Sequence, residues 1–252
     1  MLAAVAARMG VFNPAAGGGF VDPTSIAGLQ LWHDASDTAS ISHTGGLVDT
    51  WNDKSGNARH STSTSSLRPT TNTRTINAKN TLDFSGLGTV MIGAAGTLAI
   101  PAGANTIFVV YASDNTGDAT QNIMNGLNAG SGLRFALGNT ATDFQCQNRT
   151  TSSIYTTQAL VRSTSTVAAG FIRSGTSITP FVNGVKGAAG TNAEDITLTQ
   201  LNIGAQTNTG TTNRFNGMLA EIIWYNSALS DANCNSVGNY LVTKWAATWT
   251  GF

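Results

Sequence analysis

From Leu29 onward the chain is cut into short apolar runs by clusters of Gly, Asn, Asp and Ser. This punctuation restricts it to an all-β architecture, because such runs cannot supply the successive turns of a packed helix. The spacing predicts strands over Leu29 to His33, Leu47 to Trp51, Thr106 to Tyr111, Leu133 to Leu137, Phe171 to Arg173, Ile178 to Val182, Leu201 to Ile203 and Met218 to Tyr225. Asn183-Gly184, set between two apolar residues, signals a tight hairpin turn whose central positions take positive φ. Pro180 lacks the amide hydrogen that a central strand uses, which points to a sheet-edge position or to a misplaced boundary of its run. One segment breaks the pattern. Ser230 is a good N-cap, Asp231 complements the helix dipole, and Cys234, Val237, Leu241 and Trp245 recur at helical spacing, so one helix is predicted over 230–245.

A chain of 252 residues with this patterning suits one large β domain, expected over 25–252. Residues 1–24 are rich in Ala and Gly and read as an extended N-terminal arm outside it. The isolated apolar residues of that arm, Leu2, Val5, Met9, Val11, Phe12 and Phe20, are the candidate partner-binding residues. The first residues lack a basic leader and Arg8 interrupts their apolar run, so no signal peptide is expected. No apolar run approaches the roughly 18 residues of a membrane span.

Only 10% of residues are charged and the formal net charge is +0, which leaves no electrostatic footprint for nucleic acid or an anionic membrane. So few charges suit a subunit held among neighbours, copies of itself included. The low-complexity stretches Ser61 to Ser66 and Thr207 to Asn213 read as exposed loops. Cys146 shares a strand face with Phe144, and Cys234 lies on the apolar stripe of the helix, which favours two separate buried thiols over a disulfide.

Catalytic and metal chemistry find little support. Glycoside hydrolysis needs two carboxylates facing each other across a sugar. The glutamates are Glu194, in a loop beside Asp195, and Glu221, in a strand. No nucleophile elbow occurs, and His33, His43 and His60 are not at metal-ligand spacing. Asp34, Asp37, Asp49, Asn52 and Asp53 are candidate oxygen donors for calcium, against the alternative that they make turn hydrogen bonds. No catalytic residue, metal ligand or cofactor is assigned, with calcium as the open alternative. Trp32, Trp51, Trp224 and Trp245 read as core residues. Trp249 belongs to a tail that clips onto the domain or a neighbour, which leaves no aromatic platform for a sugar.

Two passages carry a resemblance. The first is Leu29-Gln-Leu-Trp32-His-Asp34-Ala-Ser36-Asp37, followed by Gly45 to Asn57 with Trp51-Asn52-Asp53-Lys54-Ser55-Gly56-Asn57. The second is Phe181-Val182-Asn183-Gly184, then Leu201-Asn202-Ile203-Gly204, then Phe215 to Asn226 with Leu229-Ser230 and the closing helix. In order and spacing they resemble the laminin-G-like and pentraxin-like branch of the concanavalin-A-like superfamily, as found in bacteriophage virion structural proteins. The resemblance implies a jelly-roll β-sandwich of two antiparallel sheets. It further implies a non-enzymatic virion protein: a capsid decoration (cement or head-fibre) or tail-associated subunit, made in the host cytoplasm and anchored by its arm to a major capsid or tail protein. The alternatives are a carbohydrate-binding adhesin for a host-surface glycan and, further off, a glycoside hydrolase.

Overall fold

A computed structural model describes residues 21–93, 98–100, 104–114, 120–128, 131–137, 143–149, 153–159, 164–193, 196–198 and 200–252. The arm candidates Leu2, Val5, Met9, Val11, Phe12 and Phe20, together with Glu194 and Asp195, lie outside the described residues.

Two antiparallel sheets form the sandwich. The back sheet runs in the order Leu29–Asp34, Asn216–Tyr225, Ala104–Ser113, Val167–Ser174, Ser177–Val182, Val185–Lys186, with Leu82–Ser85 and Gly190–Thr191 added at its margins. The front sheet runs Ser153–Ala159, Asp143–Arg149, Ser131–Leu137, Gln121–Asn128, Gln200–Ile203, Met91–Gly93, Ser61–Thr62, Leu47–Trp51, Ile41–Thr44. Central strands pair with partners far away in sequence. The strand Ala104–Ser113 lies between Val167–Ser174 and Asn216–Tyr225, as a jelly roll requires.

Alternation sorts the side chains of the back sheet into two cores. Ile107, Val109, Tyr111, Leu219, Ile222 and Trp224 face the front sheet and meet Val48, Trp51, Met91, Phe144, Leu201 and Ile203 there. Phe108, Val110, Ala112, Ile223 and Tyr225 face the other way, where the helix Asp231–Trp245 covers them with Cys234, Val237, Leu241 and Trp245. The molecule therefore has three layers: front sheet, back sheet and helix. Trp32, Trp51, Trp224 and Trp245 are all buried, as expected, and fully burying each contributes on the order of 3 kcal/mol.

Local chemistry accounts for the turns and ends. Asn183 and Gly184 take φ of 52° and 80° and close the hairpin between Val182 and Val185. The carbonyl of Pro180 points to the sheet margin, where it accepts from the Gly187 amide. The absent N–H lies on that same side, so no ladder bond to Phe171 is lost. Ser230 accepts from the Asn233 amide at the helix start, and Ala246 ends the helix with φ of 52°.

Beyond the helix, the tail folds back onto its own domain. Trp249 Nε1 donates to Asn235 Oδ1, Thr250 N donates to Asn183 O, and the Trp249 ring packs with Phe108, Phe181 and Phe252. This approach needs Gly238, where a Cβ would sit 2.2 Å from the Trp249 ring.

Two expectations change. The described end of the arm, residues 21–24, packs on the domain: Pro23 is buried, its carbonyl accepts from the Tyr225 hydroxyl at 2.9 Å, and Val21 packs against the helix-side core. Ser61 to Ser66 is not simply an exposed loop. Ser61–Thr62 is a strand of the front sheet, and Ser61 and Ser63 are buried. The serine-rich composition concealed it because Ser61 is buried to pair with a polar partner, His33.

Candidate functional site

A buried charge node joins the back sheet to the helix. In the strand Asn216–Tyr225 the register against Ala104–Ser113 slips beside Glu221, whose neighbours Ala220 and Leu219 lie in the helix-side core and the inter-sheet core respectively. This bulge presents Glu221 to the helix. Its Oε1 accepts from Trp32 Nε1 (2.6 Å), Tyr240 OH (2.7 Å) and Lys244 Nζ (3.1 Å), and its Oε2 accepts from Trp245 Nε1. Asp34 stands directly opposite in the register, a like-charge pair that would repel if left alone. Lys244 bridges the two, 2.7 Å from Asp34 Oδ1, and Lys54 contacts both Asp34 (2.8 Å) and Asp37 (2.9 Å) while lying over the Trp32 ring.

The electrostatics follow from this geometry. Burial pushes the Glu221 carboxyl above the ordinary range, opposed by the Lys244 ammonium. Asp34 is also penalised by burial, yet Lys244 and Lys54 hold it below its ordinary range. Both carboxylates are saturated by the chain's own donors and walled in by indole rings. No face is left for a sugar and an attacking water to enter between them, as hydrolysis demands.

The polar turn after Trp51 is a second hub. Asp53 accepts from the amides of Trp32 (2.9 Å), Ser55 (2.9 Å) and Arg59 (3.0 Å) and from the Ser55 hydroxyl (2.8 Å). Although burial opposes it, these donors hold the carboxyl below its ordinary range. His33 lies in the inter-sheet core, stacked on Trp51 at 4.7 Å between centroids, with Nε2 2.8 Å from Ser61 Oγ. Burial lowers its pKa to about 4, so the ring is neutral at pH 7. His60 Nδ1 accepts from the Asp53 amide, and His43 lies on the exposed strand Ile41–Thr44.

Four of the five candidate calcium donors are engaged elsewhere, Asp34 and Asp37 with lysines, Asp49 with Arg68 and Thr44, Asp53 with amides, and the carbonyl of the fifth, Asn52, lies 3.3 Å from His33 Nδ1. Among the described residues no group of three or more His, Cys, Asp or Glu converges as metal ligands would. Cys146 and Cys234 are buried free thiols in different cores, and burial raises both, Cys234 to about 12.

The open surface lies on the other side. The helix and tail seal the outer face of the back sheet, but among the described residues no element covers the outer face of the front sheet in the same way. Cross-strand pairing aligns Ser42, Thr50, Thr62, Ile92, Asn202 and Asn125 in one row across it. Ser42 and Thr62 are exposed, Thr50 and Ile92 half-buried.

Beside Asn202 and Asn125 the row meets a wall. The Gln206 carbonyl accepts from Asn125 Nδ2 (2.8 Å) and Asn202 Nδ2 (3.2 Å), which folds the Thr207 to Asn213 loop against the sheet. In that loop the hydroxyls of Thr207, Thr209 and Thr211 lie within 3.0–3.4 Å of one another. Gly88 and Gly210 pack backbone to backbone and hold Leu87, 84% exposed, beside them. The outcome is a shelf of hydroxyl, amide and aliphatic groups, which the register continues beyond Asn125 to Arg134 and Gln147. Sequence reading missed it because Ser and Thr carry no catalytic signal and only the register aligns them.

Comparison with known proteins agrees with this architecture. No curated protein matches by sequence. Domain 4 of AbnA, a GH43 extracellular arabinanase from Geobacillus stearothermophilus solved with arabinotriose, superposes with a TM-score of 0.65 at 11% identity, covering 84% of this chain and 98% of that one. The receptor binding domain of botulinum neurotoxin D gives 0.61 at 12% identity, covering 88% of this chain and 54% of that one. Trypanosoma rangeli sialidase, solved with sialic acid, gives 0.61 at 14% identity, covering 88% and 34%. At these identities the likeness shows the fold. The laminin-G family model described as "Concanavalin A-like lectin/glucanases superfamily" matches residues 88–234, more than half of the sequence. The chain belongs to the concanavalin A-like lectin/glucanases superfamily.

Proposed function

We propose that this chain is a non-catalytic carbohydrate-binding module whose binding surface is the outer face of the front sheet. The observation that carries the reading is the shelf formed by Ser42, Thr50, Thr62 and Ile92, with the threonine-rich loop held beside Asn202 and Asn125. Sugars are recognised by hydroxyl and amide partners with flanking aliphatic contact. The solved complex of a structural neighbour with arabinotriose, a neutral oligosaccharide, supports the same class of ligand. The binding rather than hydrolytic reading is supported by Asp34 and Glu221, which are saturated by the chain's own donors.

We further propose that the module is displayed on a bacteriophage particle, as a capsid decoration or tail-associated subunit tethered through residues 1–24 to a capsid or tail protein. Pro23 is anchored on Tyr225 on the helix side of the sandwich, so the described chain begins on the layer opposite the shelf. A tether there leaves the front sheet facing outward. A glycan array probed with the full chain, with polysaccharide turnover assayed in parallel, tests the binding reading. Competable binding without turnover is expected. Silence across the array sinks the carbohydrate assignment, and turnover abolished in Glu221→Gln would reinstate a hydrolase. Removal of residues 1–20 should block incorporation into particles; normal incorporation would overturn the tether.

A further inference from the structure

The node of Asp34, Glu221 and Lys244 holds one amine against two buried carboxyls. Lys244 Nζ lies 2.7 Å from Asp34 Oδ1 and 3.1 Å from Glu221 Oε1, with side-chain exposures of 11%, 4% and 0% for lysine, aspartate and glutamate. An amine and a carboxyl in such contact are the two halves of an amide, separated from it by one water. In solution both stay ionised and the condensation does not proceed. Here burial holds the two groups in contact, and held proximity replaces a collision with an effective concentration of roughly 10⁵ M or more.

The remaining parts of an acyl-transfer site are also present. Asp34 Oδ1 accepts from Ser36 N (3.0 Å) and Ser36 Oγ (2.6 Å), and Oδ2 accepts from Lys54 Nζ (2.8 Å), so the carboxyl carbon is polarised from both oxygens. Trp32, Tyr240 and Trp245 fix the Glu221 carboxylate against Lys244.

We propose that Lys244 and Asp34 join in an intramolecular amide bond, with Glu221 carrying the protons and Ser36 and Lys54 polarising the carboxyl. Lys244 Nζ attacks Asp34 Cγ, forming the N–C bond, and the Cγ–Oδ1 bond breaks. Of the three ammonium protons, one stays on the amide nitrogen and two pass through Glu221 to Oδ1, which leaves as water. Oδ2 remains as the amide carbonyl facing Lys54. No oxidant, reductant or external substrate takes part. Burial of Glu221, which raises its affinity for a proton, suits it to this transfer. The bond ties the closing helix to the first strand and links the chain covalently across nearly its whole length, a constraint on the unfolded state of the kind a long-range disulfide imposes. It is independent of what the front sheet binds.

Intact-mass spectrometry of the purified, denatured full chain, followed by peptide mapping, decides the matter. The expected result is a mass lower by one water and a branched peptide joining Lys244 to Asp34, with tryptic cleavage after Lys244 lost. Lys244→Arg keeps the charge but cannot form the bond, and Glu221→Gln lacks the proton carrier; both should retain the full mass. A wild-type chain of full mass with linear Asp34 and Lys244 peptides overturns the proposal, whether or not either variant folds. A branch through Lys54 instead, or a water loss that persists in Lys244→Arg, overturns the assignment equally.

Discussion

Acidification should destabilise this protein through His33. The imidazole is fully buried between the sheets, stacked on Trp51 and bonded to Ser61, and burial lowers its pKa from 6.5 to about 4. Because the folded-state value lies below the unfolded one, the unfolded chain takes up the proton first. His33 therefore contributes its full stability above about pH 6.5 and loses it as pH falls toward about 4. A gap of this size corresponds to about 3 kcal/mol, or a fall in Tm of roughly 6–12 °C for a domain of this size. Glu221 acts in the opposite sense, since its raised carboxyl is relieved by protonation. The informative quantity is thus the difference between wild type and His33→Gln, in which Glu221 and the other titrating groups cancel. Thermal unfolding followed by circular dichroism from about pH 7 to about pH 4 should show wild type falling more steeply, with the two curves converging at the acid end. Parallel curves would refute a neutral, buried His33.

Asp53→Ala should cost about 3 kcal/mol in denaturant unfolding, because it strands the amides of Trp32, Ser55 and Arg59; a loss below about 0.5 kcal/mol would show that water replaces the carboxylate there. Gly238→Ala should leave the helix intact but displace the Trp249 ring, giving a red-shifted tryptophan emission and a tail open to proteolysis. An unshifted emission with the gain of up to about 1 kcal/mol that alanine brings to a helix would contradict the packing described. Neither Cys146 nor Cys234 should react with a thiol reagent in the folded chain, and both should react after denaturation without any reductant.

Much of the fold was legible because each signal was local. The Asn183-Gly184 turn, the Ser230 cap and the helical stripe through Trp245 depend on neighbours in sequence, and the structure has all three. The strands Leu47–Trp51 and Asn216–Tyr225 announced themselves through bulky apolar residues. By contrast Ser61–Thr62 and Met91–Gly93 are too short to carry a period, and Gln121–Asn128 is rich in Asn and Gln. The charge node was hidden for a different reason. Glu221 stands out in the sequence as a carboxylate in a strand, but its partners Asp34, Lys244 and Trp32 come from the two ends of the domain, and only the bulge at Ala220 and Glu221 aims it at them. The shelf is invisible in sequence because its row is assembled from five separate connections between strands.

The central claim is that the front-sheet shelf binds carbohydrate, and the direct measurement is affinity for an array-identified glycan before and after that face is blocked. Arginine at both Thr50 and Thr62 places two long charged side chains across the shelf, whereas Asn239→Arg adds the same group to the exposed side of the helix. The account predicts at least about tenfold weaker binding, about 1.4 kcal/mol, for the Thr50→Arg, Thr62→Arg variant, with Asn239→Arg indistinguishable from wild type. Binding that survives on the blocked sheet face, or that is lost through the helix face instead, would contradict it.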